Sequence, residues 1–224
     1  ESLQCAHDHG VAAVVMTYWN PIERYGVDKF AQAISDHGGS GVITPDLTVE
    51  ESEGWIAATD ASGINRIYVV APSTSDSRLP IVTSKCGGFV YAASMMGVTG
   101  TRSSVSSSAA ELVARVRTTT DTPISVGLGV SNREQARSVA GYADGVIVGS
   151  AFINALLEAP DEAAGPGRFR KRERSRLVQV PPDTVASSSH TFAPAAPSRI
   201  AVLLLPPAWT LPPCMRTSPP TSIP

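Results

Sequence analysis

Asp144-Gly145-Val146-Ile147-Val148-Gly149-Ser150-Ala151 decides how this chain is read. A short apolar run with β-branched residues ends in Gly-Ser and passes straight into a helical pattern, Phe152 to Leu157. That is the pattern of a buried parallel strand delivering bare backbone and a hydroxyl to a helix N-terminus. Such an end suits an anion, because glycine lets a ligand approach the main chain and free helical N–H groups point outward. Pro123-Ile124-Ser125-Val126-Gly127-Leu128-Gly129 makes the same statement one unit upstream, followed by an expected helix over Asn132–Ala140 with Ser131 as its N-cap. Two consecutive βα units with glycine at both strand ends match a phosphate cradle after the last two strands of a (β/α)8 barrel. One such glycine would only relax a tight turn; the pair points to phosphate.

Working outward, the same alternation runs back to the start. Val11–Tyr18 reads as a strand closed by Trp19-Asn20-Pro21, and Val27, Phe30, Ala31 and Ile34 then recur at helical spacing until Gly38-Gly39. Gly41–Thr44 is a second strand ending at Pro45-Asp46. A helix from about Val49 to Ala61 follows, with Glu50 and Glu51 in its first turn, where the helix dipole favours carboxylates. Ile64–Ala71 is a third strand, a weaker helix is interrupted near Pro80, and Phe89–Ser94 is a fourth strand. A long Gly/Thr/Ser-rich loop, Met95 to Ser107, is of the kind that is usually functional or disordered. Ala109, Leu112, Val113 and Val116 mark the next helix. The expected fold is α/β, a partial (β/α)8 barrel of about six of eight units. An open doubly wound sheet would place its glycine-rich turn after the first strand, whereas here the glycine-ended strands come last.

Past Ala164 the composition changes. Residues 165–224 hold 12 of the 18 prolines and the basic run Arg168-Phe169-Arg170-Lys171-Arg172, without sustained periodicity. The expected organisation is therefore a phosphate-binding barrel domain over 1–164 and a disordered or non-native Pro/Arg/Ser-rich tail over 165–224. A reading-frame change near Gly165 would account for the shift. Residues 1–164 carry 10 Lys+Arg against 18 Asp+Glu, and the tail carries 8 against 2. An acidic body argues against a nucleic-acid partner. Three cysteines, Cys5, Cys86 and Cys214, share no metal or redox spacing and fit a reducing, cytoplasmic setting, with no metal site expected. No signal peptide is expected, and Ala201–Leu211, broken by Pro206 and Pro207, is too short to span a bilayer.

Met16-Thr17-Tyr18-Trp19-Asn20-Pro21, Thr44-Pro45-Asp46-Leu47, Phe89-Val90-Tyr91 with Gly97-Val98-Thr99-Gly100, Val126-Gly127-Leu128-Gly129 and Gly149-Ser150 occur in that order. Together they resemble the tryptophan synthase alpha chain family in its actinobacterial form, over about residues 11–160. The resemblance implies a TIM barrel that cleaves indole-3-glycerol phosphate to indole and glyceraldehyde 3-phosphate in tryptophan biosynthesis. It also implies a β-chain partner in an α2β2 complex that consumes the indole; the pyridoxal phosphate belongs to that partner, so no cofactor is expected here. By the same resemblance Gly100, Gly129, Gly149 and Ser150 would hold the phosphate, with Gly127 in the same substrate-binding set. Tyr18 and Tyr91 would line the substrate pocket, Thr99 would sit on a mobile loop over it, and Asp46 would lie at the strand end facing the β chain. From the residues alone, the two tyrosines read equally well as core aromatics.

The family carries its two catalytic carboxylates in a Glu-…-Ser-Asp-Pro-…-Asp-Gly stretch of strand two and the loop after it. No such stretch occurs in these 224 residues, and the match begins at what should be strand three. The expectation is no catalytic residue in this chain and no lyase activity from it alone. Two other readings compete with the lyase family: a phosphosugar isomerase or epimerase, which the Tyr91-to-Gly100 stretch disfavours, and a non-catalytic barrel piece that binds phosphate or a partner only.

Overall fold

A computed structural model describes residues 2–8, 11–93, 104–127, 129–149, 151, 154 and 200–204. Helix α1 (Ser2–Asp8) leads into strand β1 (Ala12–Met16), followed by helices α2 (Trp19–Tyr25) and α3 (Val27–Asp36) and strand β2 (Gly39–Ile43). A 3-10 turn (Val49–Glu51) and α4 (Glu53–Ser62) precede β3 (Asn65–Ile67) and β4 (Val69–Val70). Then come α5 (Leu79–Thr83), β5 (Val90–Ala93), α6 (Ser104–Arg117), β6 (Ile124–Gly127), α7 (Arg133–Ala140), β7 (Gly145–Val146) and β8 (Ile200–Leu204).

All pairings are parallel, in the orders β3-β2-β1-β8 and β4-β5-β6-β7. β3 and β4 are one stretch of chain interrupted at Tyr68, whose carbonyl accepts from the Tyr91 amide at 3.1 Å, so the two sets form a single curved sheet. The period-2 alternation of its strands separates two layers. Val14, Ile43, Ile67, Phe89, Tyr91 and Ala93 meet on the inner face, with Met16, Val69 and Ile147 against them. The intervening residues face the helices. Val15 and Val42 pack with Ile22, Ala31, Ile34 and Trp55, while Val90, Ala92, Ile124 and Val126 pack with helix residues such as Leu112, Val116 and Val139. An inner apolar layer wrapped by helices is barrel architecture.

Helices α1 and α2 escaped the periodicity. α2 contains Pro21, read as a strand terminator, but the ring lies in the first helical turn, where its missing N–H costs nothing. α4 is closed by Gly63, whose φ of +67° suits glycine; its N–H and that of Ile64 return to the Asp60 and Thr59 carbonyls. α6 starts at Ser104 and takes the last four residues of the expected loop, 104–107; residues 95–103 of that loop lie outside the described residues. Arg115 of α6 holds the loop after β4, donating to the Asp76 carboxylate at 2.6 Å and to the carbonyls of Pro72 and Thr74.

Most of the expected tail, 165–224, lies outside the described residues; the stretch of it that is described, Ile200–Leu204, forms β8. It pairs in parallel with β1 over five consecutive residues, Ala12 with Ile200 through Met16 with Leu204. The run Ile-Ala-Val-Leu-Leu is wholly apolar and free of proline between Pro197 and Pro206. A whole-tail composition hides such a window.

The buried ionisable groups set an alkaline limit. Burial pushes the Cys86 thiol up to about 11 from an ordinary 9.0. It also raises the phenols of Tyr68, Tyr91 and Tyr142. All are neutral when folded, and unfolding lets them ionise at their ordinary values. Stability is therefore complete below about pH 9 and falls as pH rises toward 11. Thermal unfolding across that range should show the fall, and Cys86→Ala should flatten its first part; an unchanged melting profile in the variant would remove Cys86 as a cause. With a thiol reagent at pH 8, exposed Cys5 should label before Cys86.

Candidate functional site

The C-terminal ends of β1, β2, β5, β6 and β7 carry the residues singled out from the sequence. β6 and β7 are direct neighbours, with Ser125 opposite Gly145 and Val126 opposite Val146. The Ile147 amide extends the ladder by donating to the Val126 carbonyl at 2.8 Å. Gly129 and Gly149 thus each stand three residues past a paired valine, at one end of adjacent strands. Gly129 is exposed and has φ +80°, a conformation that presents main-chain N–H where a side chain would be strained. Gly100, Thr99 and Ser150 lie outside the described residues.

The helix after β6 begins one residue later than expected. Asn132, not Ser131, is the N-cap of α7: its side chain accepts from the Gln135 amide at 2.9 Å. Gln135 replies by accepting from the Ser131 amide at 2.8 Å and from its hydroxyl at 3.0 Å. This reciprocal pair fixes the turn that follows Gly129. Asn wins the position because its amide oxygen reaches the third helical N–H while its own backbone stays extended, φ −143° and ψ 168°.

Tyr91 lies below the rim, 6% exposed, on the inner face of the sheet. Its ring lies over Gly127: a Cβ added there would stand 2.8 Å from the Tyr91 Cζ, closer still to its hydroxyl, and 3.0 Å from the Ile147 Cβ. Gly127 therefore makes room for the phenol, a role that glycine counting had assigned only to the ligand. Tyr18 does not share this pocket depth. It is 62% exposed and occupies the N-cap position of α2 at the end of β1.

Tyrosine cannot cap that helix, and the missing acceptor comes from elsewhere. Both carboxylate oxygens of Asp46 accept from the Trp19 amide, at 2.9 and 3.0 Å. Asp46 thereby ties the rim loop after β2 to the one after β1, and it brings negative charge to a helix start whose first turn has no acidic residue. The link joins residues 27 apart, so no local signal announces it. Asp46→Ala should cost about 1 kcal/mol and Asp46→Asn clearly less, because the amide oxygen keeps one acceptor. Urea unfolding of the three proteins measures this.

Asp144 sits at the opposite end. Its carboxylate accepts from the Ile124 amide at 2.9 Å and pairs with Arg117 at 2.8 Å, pinning the starts of β6 and β7 together. Charge at that face of a barrel serves stability. Among the described residues no group of His, Cys, Asp and Glu could hold a metal ion. None of the described helices is long and apolar enough to cross a membrane.

Comparison with known proteins settles the ancestry of this barrel. The family described as "Tryptophan synthase alpha chain" matches residues 4–175. The chain belongs to that family. The match runs past both ends of the 11–160 stretch on which the resemblance rested. A tryptophan synthase alpha chain of Acidothermus cellulolyticus is 55% identical over 170 residues, which make up 76% of this chain and 63% of that one. The Streptomyces coelicolor chain is 58% identical over 156 residues, 70% of this chain and 58% of its own. The chain thus spans less than two thirds of the length of these relatives. Among solved structures, Mycobacterium tuberculosis tryptophan synthase superposes with a TM-score of 0.68 at 49% identity, covering 76% of this chain and 63% of that one. The tryptophan synthase α2β2 complex of Pyrococcus furiosus gives 0.68 at 33% identity, with 76% and 69% coverage.

Proposed function

We propose that this chain supplies the phosphate-gripping side of an indole-3-glycerol phosphate site. The reaction of the family is aldol cleavage to indole and glyceraldehyde 3-phosphate, and the partner is a tryptophan synthase β chain. The observation that carries the reading is the shared register of β6 and β7, which sets Gly129 and Gly149 at the same end of neighbouring strands. Main-chain N–H groups there, with those of Gly100 and Ser150, hold the phosphate; Gly127 and Tyr91 shape the floor beneath it, and Tyr18 lies at the rim. Thr99 belongs to the segment that covers the bound substrate. Asp46 acts on the β-chain side by fixing the rim loops. Pyridoxal phosphate is held by the β chain.

Calorimetric titration with indole-3-glycerol phosphate, with inorganic phosphate as competitor, tests the grip apart from the chemistry. Saturable binding that phosphate displaces is expected. Gly129→Glu, which adds a charge of the ligand's own sign at an exposed loop position, should weaken it about tenfold or more. Binding no tighter than that of indole and indifferent to phosphate would overturn the proposal.

A further inference from the structure

Buried polar side chains gather on one seam of the sheet, between α4 and the strand broken at Tyr68. Ser52, the N-cap of α4, and Thr59 are both fully buried. They stand seven residues apart, two turns of helix, so their hydroxyls share one face. Arg66 and Tyr68 alternate with the inner-layer residues Ile67 and Val69, so their side chains are on the helix side of the sheet. α4 carries the chain back from the rim of β2 to the start of β3 and so runs against the strand, with Thr59 at the level of Arg66 and Ser52 at that of Tyr68. At the lower level the contact is closed: Arg66 Nη1 donates to Thr59 Oγ1 at 2.9 Å and pairs with Asp60. At the upper level it is open. Ser52 stands beside the phenol outside hydrogen-bond geometry, its own proton going to the Val49 carbonyl at 2.7 Å. Two buried atoms of the seam, Arg66 Nε and Tyr68 Oη, have no hydrogen-bond partner among the described residues. Buried polar atoms of native proteins are paired, and where no protein group serves, the partner is ordered water.

We infer that this seam is a binding site for one buried water, held by Arg66 Nε, Tyr68 Oη and Ser52 Oγ. The inventory of protons selects the occupant. Arg66 Nε–H can only donate, and the Tyr68 O–H has a proton to place, so the occupant accepts from both. Ser52 has given its proton to Val49 and offers only lone pairs, so the occupant donates to it. Water does all three, which is the usual number of bonds for a buried one. A halide would accept twice but face the Ser52 lone pairs with its own, and Asp60 already balances the guanidinium charge. A metal cation would be repelled by Arg66. Through Ser52 the water ties the strand break at Tyr68 to the start of α4 and to the Val49–Glu51 turn, whose Glu50 holds Arg78.

The test compares the full 224-residue chain with Tyr68→Phe, which keeps the ring and removes one partner of the water. Oxygen-17 relaxation dispersion counts long-lived internal waters, and the variant should lose about one of them. Tyr142→Phe, at a phenol away from the seam, should lose none and serves as the control. The Arg66 Nε–H resonance should cross-relax with a long-lived water in the unaltered chain and not in Tyr68→Phe. Equal numbers of internal waters in the unaltered chain and Tyr68→Phe would overturn the inference, as would an equal loss in the control. A thermal midpoint that rises with chloride at fixed ionic strength in the unaltered chain, but not in Tyr68→Phe, would make the occupant an anion and overturn it as well.

Discussion

Purified 224-residue chain, given indole-3-glycerol phosphate, is expected to release no indole above the uncatalysed rate. Phosphate binding holds substrate and transition state about equally, so it lowers KM without speeding carbon–carbon cleavage. The speed comes from proton transfers at the glycerol hydroxyl and the indole ring, each typically about 10²–10⁴-fold. Losing both groups costs the product of the two, about 10⁴–10⁸-fold. Four described carboxylates near the candidate rim are already engaged: Asp46 with the Trp19 amide, Glu50 with both terminal nitrogens of Arg78, Glu51 with the Thr48 hydroxyl, and Asp76 with Arg115. The Arg78 contact also holds the Glu50 carboxyl below its usual value, which favours the ion and disfavours a proton donor. No Asp or Glu is among the buried residues described, and the Tyr91 phenol in the apolar inner layer is kept protonated by burial. Indole release should appear when the family's first two βα units, with their Glu and Asp, are supplied as a fused or separate polypeptide. Turnover by the chain alone would refute the claim and make Asp46 the first residue to substitute.

What could be read from the sequence follows from how local each cause is. Strand–helix alternation was legible because β-branched runs and 3.6-residue spacing are properties of neighbouring residues, and β1, β2, β5, β6, α3 and α6 fall close to where that spacing puts them. The third strand was legible as one run, but its interruption at Tyr68 was not, since the break reflects partners changing from β2 to β5. α2 was missed because Pro21 reads as a stop unless its place in the first turn is known. At the candidate site, the placing of Gly129 and Gly149 at one end of neighbouring strands was legible. The cap that Asp46 gives to α2 and the fit of Tyr91 over Gly127 were not, because each joins residues at least 27 apart.

That fit makes Gly127→Val a strongly damaging change at the candidate site. A Cβ alone would meet the Tyr91 ring at 2.8 Å and the Ile147 Cβ at 3.0 Å, and valine adds two methyl groups to it. Neither neighbour is free to retreat. Tyr91 is held in register between Val69 and Ser125, and the Ile147 amide is bonded to Val126. Overfilling a packed interior costs typically about 1–3 kcal/mol, and the rigidity on both sides places this substitution at the upper end. Replacing the phenol by a smaller ring-free side chain, Tyr91→Ala, leaves a cavity of its own and should cost about 3–5 kcal/mol. The two changes should compensate each other when combined, since valine fills part of the space that the ring vacates. Urea unfolding of Gly127→Val, Tyr91→Ala and the double variant measures the coupling. A double variant about as unstable as the sum of the singles would mean that the ring and the glycine do not share one volume. Gly127 would then need an explanation other than the tyrosine beside it.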